Sequence, residues 1–174
     1  MFERPRISYA IMVLLFILPQ SLYVIGDYMA VGIRFPLFRW QESGFGTSII
    51  PVNREVGYLS GGTIKWMTTA VNSTAQTYNP TAVATVIWVA GLIVLLAAAV
   101  MVLSWHLLDN PEHARYPGLL IILTGVLFLA WAMVQYGPFF SGPSGYSIPV
   151  GVPILWYCGY QFLQAAKKVE QRQA

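Results

Sequence analysis

Apolar residues run through this chain in stretches that charge does not interrupt. No Asp, Glu, Lys or Arg occurs over 7–26, 66–108 or 116–166, and about 20 mostly apolar residues in a helix suffice to cross the hydrocarbon core of a bilayer. The pattern predicts four membrane-spanning helices, over about 7–25, 82–105, 117–136 and 148–166. The first is expected to stay in the mature chain, kinked near Pro19, because no convincing small-x-small cleavage site follows it. In the second, Ala90, Gly91, Ala97 and Ala98 recur seven apart, which puts small residues on one face and lets another helix approach closely. Pro117 suits the first turn of the third. The expected fold class is a membrane all-α bundle of four transmembrane helices with a small extracellular β-rich loop domain. It is one four-helix membrane domain over 1–174, with the loop domain over 26–81.

That loop reads as folded. Val31, Ile33, Phe35 and Leu37 alternate with Gly32, Arg34, Pro36 and Phe38, the period-two signature of a half-buried strand. The apolar set is expected to face inward and Arg34 outward. Pro36 cannot donate to a ladder, which places the strand at a sheet edge or a bulge. Residues 42–46 read as a turn, 47–52 as a second strand and 55–59 as a third. Residues 63–71 fit either a strand or a surface helix, and 137–146, rich in Gly and Pro, reads as a second, shorter outer loop.

Composition supports a non-aqueous setting: 56% of residues are hydrophobic and 10% charged, against about a quarter charged in soluble domains. A formal charge of +3 with no dense basic run argues against nucleic acid as a partner. Arg4, Arg6, Arg115, Lys167, Lys168 and Arg172 fall on one side of the expected topology. Arg34, Arg39, Arg54 and Lys65 fall on the other, so the positive-inside rule favours both termini in the cytoplasm, and the plasma membrane is the expected location.

Candidate chemistry is sparse. No ionisable Asp, Glu, Lys or Arg lies within an expected span, where such residues mark ion pathways and proton relays. His106 and His113 have no companion at ligand spacing. Cys158, the single cysteine, has no base beside it in sequence and reads as an inert thiol. No catalytic residue, cofactor or metal is expected. Asn72-Ser73-Thr74 matches a glycosylation acceptor. Arg and Trp are the types most enriched at interface hot spots. Arg34, Arg39, Trp40, Lys65, Trp66 and Tyr146 therefore form the expected outer contact surface.

With cytoplasmic ends, a first outer loop of strand-like segments carrying Trp40 and Trp66, a short inner turn and a smaller second outer loop, the layout resembles the claudin and PMP22-like tetraspan proteins. The loop has no Gly-Leu-Trp and no cysteine pair, so the resemblance implies only a small sheet, without a disulfide staple, standing on a left-handed four-helix bundle. Two function classes follow. The first is a non-catalytic integral membrane protein whose ordered outer loops contact another membrane or cell-surface protein, or form a homo-oligomer, with lipid as its other partner. The second is a small accessory subunit of a larger membrane enzyme or transporter.

Overall fold

The computed structural model describes residues 5–26, 28–58, 80–108 and 115–173. In chain order these form α1 (Pro5–Ile17), β1 (Ser21–Ile25), β2 (Ala30–Arg34), β3 (Phe38–Ser43), β4 (Gly46–Pro51) and α2 (Val52–Tyr58). Then follow α3 (Pro80–Leu108), α4 (Arg115–Tyr136), β5 (Ser141–Gly142), β6 (Gly145–Ile148) and α5 (Gly151–Gln173). The strands make one sheet in the order β4-β3-β2-β1-β6-β5, antiparallel at every step.

The described residues form five helices and a six-stranded sheet, not a four-helix membrane bundle. The tetraspan expectation fails at both ends of the chain. Residues 7–25 are not one span, because the residue before a proline is pushed out of the α region. Leu18 precedes Pro19, and α1 stops at Ile17. Gln20, buried, turns back so that its Nε2 donates to the carbonyls of Leu15 (3.4 Å) and Leu18 (3.1 Å), occupying acceptors that a terminating helix leaves open. Ser21 to Ile25, aromatic and β-branched, then fit a pleated surface and become a central strand between β2 and β6. At 1.5 Å per residue α1 is about 20 Å long, short of the ~30 Å hydrocarbon core. At the other end Gly145–Ile148 is a strand, α5 begins only at Gly151, and its last turns carry Lys167, Lys168, Glu170 and Arg172. Among the described residues α3 and α4 alone are long and apolar enough to cross a membrane.

Three helices pack through small residues and rings. A Cβ at Gly91 of α3 would lie 2.7 Å from the Phe128 ring of α4, and Ala98, seven residues on, is fully buried. Ala90 is half-buried and Ala97 exposed, so only half of the expected small-residue face meets a neighbour. Where α4 crosses α5, a Cβ on either Gly118 or Gly159 would sit 2.8 Å from the other's carbonyl oxygen. Trp88 stacks on Phe128 at 4.2 Å and meets Trp131 edge-on at 4.8 Å, closing the core at the end of the helices nearest the sheet.

Period two holds in β2, but the sides are reversed. Ala30, Gly32 and Arg34 are buried, while Val31 is exposed and Ile33 half-buried. Alternation fixes which residues share a face; what covers the face decides which one is inside. Here the cover is the Trp88 and Trp131 ring wall, and it takes the arginine. Other differences are local. Residues 52–58 are helix rather than a third strand, β3 runs on through Ser43, and 137–146 supplies most of the β5–β6 hairpin of the same sheet. Residues 63–71 lie outside the described residues.

Candidate functional site

The inner face of the sheet is polar. Ser21, Tyr23, Arg34, Arg39, Gln41 and Ser147 alternate onto it by register. At its centre the Arg34 guanidinium lies over the faces of Trp88 and Trp131, 4.1 and 4.5 Å from the ring centroids. One edge of the guanidinium donates to Oε2 of Glu55. The other oxygen of Glu55, Oε1, lies 3.1 Å from Nε of Arg39, close enough for an ion pair but not aimed as a hydrogen bond. Trp88 is held in turn by its indole N–H, which donates to the Pro36 carbonyl at 3.1 Å.

Local sequence explains this placement. Pro51 ends β4, and Val52 opens α2 with its N–H donating to the Leu37 carbonyl. One helical turn later Glu55 points under the sheet as the one fully buried side chain described in α2. Two arginines share one carboxylate, and the surplus positive charge sits on Arg39, the more exposed of the pair at 21% against 7% for Arg34. Burial lowers the pKa of Arg34 from its usual value, and Glu55 opposes the shift. Tyr23 lies across β2: its hydroxyl is 3.4 Å from both the Trp40 carbonyl and Gln41 Oε1 on β3. This crossing needs a bare backbone at Gly32, where a Cβ would lie 2.5 Å from the Tyr23 hydroxyl. Burial also raises the Tyr23 pKa.

The outer face is mostly apolar, with the exposed Glu42 on β3 between Val31 and Thr47. Leu22 pairs with Ile33 on one side and Ile148 on the other, and Val24 pairs with Val31 and Tyr146. Trp40 and Ile49 extend the patch toward β4. Ile49 is 65% exposed and Ile148 55%. A shallow groove of about 220 Å³ runs over Leu22, Val31, Ile33, Trp40, Tyr146 and Ile148. Its lining has neither a charged side chain nor, apart from the two tyrosine hydroxyls and the Trp40 indole N–H, a polar side-chain group.

The residues expected at one contact surface therefore part company. Trp40 and Tyr146 do share the outer groove. Arg34 is in the core, and Arg39 is half-buried beside Glu55. Lys65, Trp66 and the acceptor Asn72 lie outside the described residues, as does His113. The side chains that complete the inner cluster, Glu55, Trp88, Trp131 and Tyr23, were not expected there. The available signal was Trp88, a large ring with a polar N–H inside an otherwise aliphatic run. Among the described residues no three His, Cys, Asp or Glu side chains gather as a metal site, and Cys158 is half-buried with its pKa raised by burial. Neither a protein-family model nor a characterised protein matches this sequence significantly.

Proposed function

We propose that this chain is a non-catalytic protein, anchored in the plasma membrane through α3 and α4, whose sheet offers its outer face to another protein. The observation that carries this reading is the inversion of the sheet. A soluble sheet turns its apolar side to its own core, whereas here that side faces away from the helices. Contiguous exposed apolar surface of this kind marks contact sites.

Membrane anchoring draws on the long helices. In the apolar windows of α3 and α4 only 33% and 44% of residues are buried. Exposed Ile93, Leu96 and Val100 on one, and Leu119, Leu123 and Val126 on the other, suit lipid as their surroundings. The helix ends away from the sheet carry Arg6, Arg115, Lys167 and Lys168, which favours that side, with both termini, as cytoplasmic.

Membrane extraction in mild detergent tests the reading. A wild-type particle heavier than one chain is expected, and a Leu22→Ser, Ile148→Ser double variant should lose mass with an unchanged unfolding temperature. Unchanged assembly in that variant would overturn the outer face as a contact site. The accessory-subunit reading has its own support in the exposed aromatic stripe Trp156, Tyr157 and Tyr160 on α5. It requires a second polypeptide, in fixed ratio, that these substitutions do not release.

A further inference from the structure

Among the described residues β4 ends the sheet, and its backbone pattern can be read residue by residue. The Val52 N–H donates to the Leu37 carbonyl, one step beyond the Phe38–Pro51 pair of the β3–β4 register. In an antiparallel ladder, residues alternate between those that bond to the neighbouring strand and those that do not. Gly46, Ser48 and Ile50 therefore bond to β3, and Thr47, Ile49 and Pro51 turn their backbone groups outward. The β2–β3 ladder agrees. Phe35 donates to the Phe38 carbonyl, so the even residues of β3 bond to β2 and its odd residues are left for β4.

Outward, β4 turns two N–H donors, on Thr47 and Ile49, that meet no acceptor among the described residues. Pro51, which has none, falls on the outward side, where the internal ladder loses nothing. Natural edges are blunted by charge, by proline within the strand or by a covering element. No Asp, Glu, Lys or Arg occurs in β4, and its one proline is its last residue. Thr47, Ser48 and Ile49 are exposed among the described residues, and Phe45, at the tip of the β3–β4 hairpin, is fully so.

From this edge we infer that β4 pairs with β4 of a second copy, joining two sheets into one of twelve strands. The inference goes beyond the outer-face contact proposed above: the edge is a second surface, and its partner is this chain itself. An antiparallel pair of identical strands has its two-fold axis perpendicular to the sheet. With that axis between the two copies of Ser48, Thr47 of each copy faces Ile49 of the other. The outward N–H groups of both residues in both copies then find carbonyl acceptors. Pro51, which has no donor to lose, falls opposite the exposed Phe45 of the other copy. An uncharged strand meets its own copy without like-charge repulsion. The same axis keeps the inner faces of both sheets, with α3 and α4, on one side, so both copies enter a single bilayer in the same direction. Four backbone bonds make a small interface, and confinement in one membrane raises the effective concentration that it needs.

Cysteine cross-linking in membranes, on the full chain carrying Cys158→Ala, tests the register. Two residues facing each other without mutual backbone bonds have Cα atoms about 4.5 Å apart, within disulfide reach. Ser48→Cys should therefore cross-link to a dimer on mild oxidation, and Thr47→Cys, which faces Ile49, should not. Ile49→Pro removes an outward N–H and leaves the β3 ladder intact. It should abolish the Ser48→Cys dimer and lower the mass of the detergent particle while the unfolding temperature holds. Equal cross-linking at 47 and 48, none at 48, or a dimer that survives Ile49→Pro would overturn the pairing. If Ile49→Pro leaves the particle intact while Leu22→Ser, Ile148→Ser dissolves it, the edge inference fails and the outer-face reading stands. If neither changes the particle, both fail.

Discussion

Neighbouring residues of one strand, Ile33 and Arg34, lead to opposite faces of the sheet and to opposite kinds of chemistry. On the inner face a guanidinium is enclosed by two indoles and a carboxylate; on the outer face aliphatic side chains stand open. The charged side is thus the one that holds the fold, and the apolar side is the one proposed above for contact. A desolvated cation over aromatic faces gains about 2 kcal/mol or more, and the Glu55 carboxylate offsets the cost of its burial. The outer face can then be apolar without contributing to the core, which leaves it available to a partner.

Substitutions that unpair the inner charges should break this contrast most severely. Glu55→Ala leaves two arginines without their shared anion and should lower stability by about 3–5 kcal/mol, the range for an orphaned buried charge. Denaturant unfolding in detergent followed by Trp fluorescence measures it, and a loss under ~1 kcal/mol would mean that the cluster is solvated. Gly32→Val comes next. Its side chain enters the path of Tyr23 across β2, and the overpacking should cost about 1–3 kcal/mol, read as a lowered unfolding midpoint.

Tyr23→Phe sharpens the comparison more gently, by about 1 kcal/mol for one hydroxyl bond. It also carries a pH signature. Burial raises the Tyr23 pKa above its usual 10.0, so the neutral phenol's contribution is complete below pH 10 and is lost as pH rises through the folded value. The phenylalanine variant should lack that part of the alkaline loss of stability. Smallest of all is Ile148→Ser on the outer face, expected within about ±0.5 kcal/mol, as for other surface changes. A large loss there would show that the outer face is core after all.

How much of this could be read from the chain varied with the type of signal. Long charge-free runs gave α3 and α4 to within a turn or two, because length and apolarity alone make such helices. The same rule misread 7–25, where Pro19 and the strand-forming Ser21 to Ile25 outweigh hydropathy: an apolar stretch can be buried in a sheet as well as in lipid. Alternation revealed β2 but not its orientation, since that depends on Trp88 and Trp131, more than fifty residues away from Arg34. Glu55 was visible only as an isolated acid in a loop. Nothing near it in sequence marks the partner that it meets across 21 positions. Of the outer groove, Trp40 and Tyr146 stand out in the sequence as aromatic residues, but nothing there marks the face that they share.

β1 lies between β2, which follows it directly, and β6, which begins only at Gly145. As the chain leaves the ribosome, β1 to β4 can close as successive local hairpins. The far edge of β1 must stay open until both long helices have been made. Arg34 is caught in the same delay: Glu55 is available early, Trp88 arrives with α3 and Trp131 only with α4. Until then an arginine destined for the core stands on a half-built sheet with an unpaired strand beside it. That interval is when a membrane chaperone, or a wrong strand, has its best chance to bind.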